Sequence, residues 1–472
     1  MKSFALTTCI IAIFSFNAHA DAQPLTPAAL PSRPNIVFIL ADDLGCAQVG
    51  AYGNRYYRTP HIDSLGQDGV KFTRAYAAAP VCSPTRSALM TGKHPARTRV
   101  TNFIPGNAYP WARLQQPRWQ RFLPLEETTL AERFSAAGYV TALFGKWHLA
   151  RGYFPPDSIA EGPDRQGFTE TFITHKPVES ADPEQDAHNV QAITDRAVRF
   201  LAEHRSEPFF LLLSHNTIHA PVMAPRALIE KYPPGGGAHP ENAPVIGAMM
   251  EVLDRGVGQV LAALDELGLS ERTLVIFYSD NGGLEASATQ SPLRGGKAQL
   301  YEGGIRVPLL MRWPGVIKPG ETSDFPLTAM DFFPTLLELG GARPEPHAVT
   351  DGIDFTPVLR GATAPARPAM HWHFPHYHPA GAAPSGAIIS GDWKLIENYE
   401  AAATGDSPAC ELFNLREDPA EKNNLSLSDP ERAAALRNDL AAWRDSVHAQ
   451  MPTLNPDYDP ARASVLDIDT GH

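Results

Sequence analysis

At 472 residues the chain is about three times a ~150-residue single-domain prior, long enough for a large core with an appendage. Hydrophobic residues make up 43% and charged residues 19%, and 44 Pro with 36 Gly stay below the ~25–30% share of low-complexity chains, so bulk disorder, collagen and coiled coil are excluded. With 40 Lys and Arg against 52 Asp and Glu, the net charge is −12 and no run of five basic residues occurs, which excludes a nucleic-acid binder that works by neutralising phosphates.

Lys2, the apolar run 5–16 and the small-residue sequence Ala18-His19-Ala20 predict a secretory signal peptide over residues 1–20, too short for a membrane span. The mature chain is therefore expected to be exported, periplasmic or secreted, with no membrane span. Cleavage removes Lys2 and Cys9 and leaves Cys46, Cys82 and Cys410, too few for a disulfide framework. Residues 21–33, rich in Pro and Ala, read as a tether. A buried strand is predicted over 35–40, and Thr59-Pro60 opens a short helix that Gly69 stops. Further apolar strands are predicted over 140–144, 209–213 and 274–278; helix-period segments precede the last two. This alternation predicts an α/β fold with a large, mostly parallel sheet sandwiched by helices. Beyond Gly361 the chain turns Pro-, Ala- and His-rich. A strand near Trp393, another over 412–415 and a helix over 430–447 predict a smaller C-terminal α+β subdomain, so the division is 34–365 and 366–472. The last fifteen residues read as a loose tail.

Ligands of such sheets bind beyond the carboxyl ends of the strands. Asp42 and Asp43 follow the first strand, Lys146 and His148 the second, His215 and His219 the third, and Asp280 and Asn281 the fourth. In Cys82-Ser83-Pro84-Thr85-Arg86, Ser83 is a predicted N-cap, Pro84 the first helical residue and Gly92 the stop, so Cys82 precedes a helix N-terminus that favours an anion. Arg86, one turn on, can reach back to the same spot. Cys82 is thus a nucleophile beside an anion holder, or a buried cysteine at a helix start. Asp42, Asp43, Asp280 and Asn281 are oxygen donors suited to a hard cation, or else polar turns.

Taken together and in this order, these segments resemble the sulfatase family of the alkaline phosphatase superfamily. Cys82 to Arg86 matches its C-x-P-x-R signature, residues 35–43 its opening strand and aspartates, and Gly145-Lys146-Trp147-His148 its Lys/His motif. Residues 279–283 match its second metal motif, residues 293–308 the segment with its substrate lysine, and residues 411–425 its C-terminal pattern. The resemblance implies an alkaline-phosphatase-like fold and hydrolysis of sulfate esters. It implies a formylglycine made from Cys82 by a formylglycine-generating enzyme, whose hydrated form attacks sulfur. One divalent cation, Ca2+ or else Mg2+, is held by Asp42, Asp43, Cys82, Asp280 and Asn281. Arg86 and Lys146 then hold the formylglycine, His148 moves its proton, His219 protonates the leaving alcohol, and Lys297 binds sulfate. His215 competes for the acid role, but the spacing to Pro221 favours His219. Cys46 is given no role.

The expected substrate is a small sulfated molecule, a sugar. Residues 371–378 carry four histidines, Trp372 and Tyr377, and read either as a zinc cluster or as an aromatic border of the pocket. Alternation along a strand would split zinc ligands between two faces. Residues 102–121, with Tyr109, Trp111, Arg113 and Trp119, form a second candidate wall or a surface insertion. The rival readings are a phosphate or phosphonate monoester hydrolase on the same fold, and a silent glycan-binding protein in which Cys82 stays a thiol.

Overall fold

A computed structural model describes Met1 and residues 33–151, 160–234, 241–343, 349–406 and 408–468; the predicted signal peptide past Met1 and all but Arg33 of the tether lie outside the described residues. In chain order the main-sheet strands are β1 (Asn35–Ala41), β2 (Val70–Phe72), β3 (Val140–Gly145), β4 (Glu170–Ile173), β5 (Phe209–Ser214), β6 (Thr273–Ser279), β7 (Leu309–Arg312) and β8 (Glu321–Ser323). Their spatial order is β8-β2-β7-β6-β1-β5-β3-β4. The five strands from β6 to β4 run parallel, and β7 lies antiparallel between β6 and β2. The predicted α/β class with a mixed, mostly parallel sheet is the one observed.

The apolar runs are buried on both faces because helices cover both faces. Val37, Ile39, Leu211 and Phe277 pack into one cluster with Ile62 and Leu65 of α1 (Pro60–Gln67), with Ile193 and Phe200 of a helix over Val190–Glu203, and with Leu253 and Val257 of a helix over Ala243–Glu266. On the other face Phe38 meets Tyr278 and Phe332 edge-on, and Phe210 stacks on Phe134.

Register decides the site. Ala41 lies opposite Ser279, and Ser214 lies opposite both Leu40 and Gly145, so β1, β3, β5 and β6 end at one level. Asp42, Lys146, His215 and Asp280 are each the first residue past such an end. These residues therefore stand together beyond the carboxyl ends of the parallel strands, where ligands of such sheets bind.

A second sheet is antiparallel throughout: β9 (Met370–Phe374), β10 (Ser385–Ser390), β11 (Trp393–Asn398) and β12 (Cys410–Asn414) in sequence order. The helix over Pro430–Ser446 packs Leu436 and Leu440 against Ile388, Leu395 and Leu412. The end of the chain departs from the loose tail that was expected. Thr453–Leu454 pairs with Leu114–Gln115, and Asp467–Ile468 pairs with Asn107–Ala108, so the C-terminus returns to the insertion after Asn102. A dipeptide pairing leaves no periodicity in sequence by which to see it.

Candidate active site

The strand ends and one helix converge on Cys82. Its helix, α2 (Cys82–Thr91), starts two residues earlier than the sequence suggests: Val81 is the N-cap and Ser83 lies inside the first turn. Ser83 Oγ instead accepts from the amide of Ile104, which removes it from capping. Gly92 ends the helix at φ 66°, as expected for the left-handed stop.

Cys82 Sγ lies 3.4 Å from Asp42 Oδ1 and 3.8 Å from Asp43 Oδ1. Each aspartate is held through its other oxygen by a lysine: Lys146 Nζ donates to Asp42 Oδ2 at 2.7 Å, and Lys297 Nζ donates to Asp43 Oδ2 at 2.7 Å. Burial opposes ionisation of both carboxyls, yet Lys146 and His219 hold Asp42 well below the usual carboxylate range, and Lys297 and His219 hold Asp43 below it. Arg86 makes no hydrogen bond to Cys82 among the described residues, although the two are close enough for their charges to interact. Its Nε and Nη2 lie 2.8 and 2.7 Å from Asp280 Oδ2, and Nη1 donates to Ser214 Oγ at 2.6 Å and to the Lys146 carbonyl. The reason is charge: Arg86 is the cation paired directly with the buried Asp280, and burial with the neighbouring Asp42 raises Asp280 to about 6 even so.

Asn281 Nδ2 donates to Asp43 Oδ1 at 2.8 Å, whereas its buried Oδ1 has no hydrogen-bond partner among the described residues. His219 Nε2 accepts from Lys297 Nζ at 3.1 Å and lies 3.7 Å from Asp43 Oδ2, and Nδ1 donates to the Ala220 carbonyl at 2.6 Å. Burial and the Lys297 charge lower His219 to about 4, so its ring is neutral near pH 7. His148 donates through Nε2 to the Ile104 carbonyl at 2.6 Å and lines the cavity; burial and Lys146 keep it well below the usual imidazole range. Ligand atoms of Asp42, Asp43, Cys82 and His219 all fall within 4.8 Å of one another, a group that could hold a metal ion. His219 joins this group although sequence reading gave it only proton transfer, and Asp280 stands outside it.

The cluster opens into a cavity of about 700 Å3. Phe103, Ile104, Pro105, Leu284, Pro379 and Ala380 form apolar walls; Lys176, His378, Lys297 and His219 are polar. His215 is buried and does not line it. The expected aromatic border is corrected. Trp372 is fully buried against Tyr76 and donates to the Ala77 carbonyl, and Tyr377 Oη donates to Glu400. Nor do the histidines gather: His371 stacks on Trp443, His373 bonds Tyr399 Oη, His376 bonds Thr101 Oγ1, and only His378 reaches the cavity. Lys176 was missed. It follows β4, whose polar sequence Glu170-Thr171-Phe172-Ile173 hides a strand that the strand-end rule would have used.

A model of the sulfatase family matches residues 34–342, about two thirds of the chain, over every strand that feeds this cluster. The chain belongs to the sulfatase family. A second model, the C-terminal region of N-sulphoglucosamine sulphohydrolase, matches residues 296–446. This sulfatase is 32% identical to arylsulfatase A of Bos taurus over 84% of this chain and 84% of that protein. It is 29% identical to steryl-sulfatase of Mus musculus over 93% and 85%, and 29% identical to a sulfatase of Formosa agariphila over 87% and 88%. Among solved structures, Ps i-CgsB superposes with a TM-score of 0.74 at 26% identity, covering 90% of this chain and 95% of that one; it is also solved with k-i-k-neocarrahexaose. A phosphonate monoester hydrolase of Agrobacterium radiobacter, at 22% identity and a TM-score of 0.67 over 88% and 96%, shares the fold. The sulfatase is a sulfuric ester hydrolase of alkaline-phosphatase-like architecture.

Proposed function

We propose that this enzyme hydrolyses the sulfate ester of an alcohol on a sugar at Cys82, matured to formylglycine, beside one divalent cation. The arrangement of Asp42 and Asp43 carries the reading: two lysines occupy the outer oxygens and leave both Oδ1 atoms facing Cys82. With the unpartnered Oδ1 of Asn281, these donors fit a hard, oxygen-seeking cation such as Ca2+ or Mg2+, and Asp280 adds a carboxylate held by Arg86. Bound there, the cation would supply positive charge beside the sulfate, and the formylglycine would supply the attacking oxygen. The unmodified thiol is a poor nucleophile here, because burial and the charge of Asp280 push it up, out of reach of neutral pH, despite the helix N-terminus.

The chain's own residues do the rest. Lys297 is held ionised by Asp43 against the cost of burial and binds sulfate oxygen as a point charge; Lys146 on Asp42 and Arg86 on Asp280 hold in place the carboxylates around the reacting group. His219, neutral at rest, gains proton affinity when an anionic sulfate monoester enters beside it, takes up a proton from solvent at Nε2 and passes that proton to the leaving alcohol. His148, anchored to the Ile104 carbonyl, exchanges the proton of the group at position 82. The apolar walls at Phe103, Pro105 and Pro379 suit the C–H faces of a sugar ring, and a 26% identical relative is solved with a hexaose. Export through the N-terminal segment and maturation by a formylglycine-generating enzyme complete the proposal.

The deciding measurement is the mass of the tryptic peptide 75–86 from protein isolated from its own host. A mass showing sulfur replaced by oxygen with the loss of two further hydrogens, and the aldehyde trapped by a hydrazine reagent, is expected. An intact thiol throughout would bring forward the silent glycan-binding reading. Turnover of matched aryl sulfate and aryl phosphate separates the remaining rival: faster phosphate cleavage would displace the sulfate-ester reading.

A further inference from the structure

The segment 102–121 serves two hollows. Phe103, Ile104 and Pro105 wall the catalytic cavity. Past Gly106 the segment turns away and, with the C-terminal return, encloses a second, polar hollow of about 570 Å3. Its frame is tightly bonded. Leu114–Gln115 pairs with Thr453–Leu454, and Asn455 Nδ2 donates to the carbonyls of Pro110 and Ala112 at 2.9 and 2.7 Å. Gln116 spans from the Asn107 carbonyl to the Tyr377 amide, at 3.2 and 3.3 Å.

Inside this frame two polar groups, the Arg118 guanidinium and the Tyr109 hydroxyl, are not engaged with neighbouring side chains among the described residues. Arg118 makes no ion pair among the described residues. Trp119 lies 5.4 Å from the Arg121 guanidinium. Tyr109, nine-tenths buried, lines the hollow with a hydroxyl that has no partner among the described residues. Gln115 and Asp457 stand exposed at the rim. A guanidinium fork matches sulfate or carboxylate through two parallel hydrogen bonds, and an indole offers an apolar face with a donor at its edge.

The two hollows share a ridge. A Cβ on Gly106 would lie 2.5 Å from Trp119 Cζ2, so the indole packs against backbone one residue past the cavity wall. The Tyr109 ring lies 5.6 Å from that of Tyr377, the residue before His378 of the cavity.

We propose that the polar hollow is a subsite for a second anionic sugar unit of the substrate, so that the enzyme acts on an oligosaccharide. The inference rests on the sulfate-ester reading of the cavity beside it. The test is calorimetric binding to the full chain carrying Cys82→Ala, with k-i-k-neocarrahexaose, a heparin-derived hexasaccharide and galactose 4-sulfate as probes. At least one hexasaccharide is expected to bind tenfold or more tighter than the monosaccharide, and Arg118→Ala or Trp119→Ala to erase that advantage. Arg118→Lys, which keeps the charge without the fork, is expected to restore only part of it. Arg118→Gln, on an exposed side chain, repeats the test should Trp119→Ala misfold. Equal binding of all three probes, or an advantage that survives the variants, overturns the subsite. Arg118-dependent binding in a parent enzyme that releases no sulfate would uphold the subsite and sink the hydrolase reading; sulfate release without the hexasaccharide advantage does the reverse.

Discussion

The stretch from Lys297 to Glu302 joins two buried ionic clusters built on opposite plans. At one end Asp42, Asp43 and Asp280 meet Lys146, Lys297 and Arg86, and the cluster opens on the cavity. At the other, Lys394 of β11 sits between Glu302 Oε1 at 2.9 Å and Glu421 Oε1 at 2.8 Å, and all three side chains are fully buried. Glu421 also accepts from the Glu302 amide, and Tyr76 Oη donates to Glu302. The chemistry of the groups is alike; their access to space differs. The closed cluster ties the second sheet to the loop behind Lys297, whereas the open one keeps three carboxylates crowded where a cation and a sulfate would meet them. A buried charge network serves assembly or reaction according to whether anything can enter it.

Substitutions can break this contrast. Cys82→Ala is expected to lower turnover by ~10^3-fold or more while the melting temperature stays within a few degrees, because the proposed chemistry runs through this small side chain; turnover within tenfold of the parent would refute its role. Lys394→Met should do the opposite. It strands Glu421 without its cation and leaves Glu302 only Arg306 at 3.6 Å, a loss of ~3–5 kcal/mol read in denaturant melts, while the folded fraction turns over faster than a Lys297→Ala enzyme. Lys297→Ala should cost ~10^2-fold in rate, with sulfate inhibition weakened in parallel. Chelation should lower activity and added Ca2+ or Mg2+ restore it; a parent enzyme indifferent to both would remove the cation from the open cluster.

The smallest effects lie in pH dependence, and the two directions can be told apart. Burial lowers His215, His371 and His373 to about 4. The unfolded chain takes up these protons near pH ~6.5 and the folded chain refuses them, so their contribution is lost as pH falls from there towards 4. Glu421 runs the other way. Burial, helped by the charge of Glu302 and opposed by Lys394, raises it to about 7, so its contribution is present below about 4.5 and is lost as pH rises through 7. Melting temperatures across pH 4–8 should show both arms, and Glu421→Gln should flatten only the upper one.

Much of the candidate cluster was legible because its residues stand directly after apolar strands. Asp42, Lys146 and Asp280 are each the residue just past a buried run, and register then brought them to one level. Lys176 was hidden by a strand too polar to see. Arg86 was found, but its partner was misjudged: helix geometry puts it near Cys82, whereas the buried charge of Asp280 claims it. The His371–Tyr377 stretch misled for a similar reason. Composition marks it as a site, while strand alternation and packing commit its aromatic rings to Tyr76, Trp443 and Tyr399.

By itself the sequence determined the sheet class, the order of the strand ends and the family motif around Cys82, since hydrophobic runs and local helix signals act over a few residues. Tertiary structure alone decided which charges pair, which aromatics reach the cavity, and that the C-terminal return closes a second hollow against residues 108–121. Those outcomes depend on contacts between segments up to some three hundred and forty residues apart, where desolvation sets which partner wins, and no local pattern records that competition.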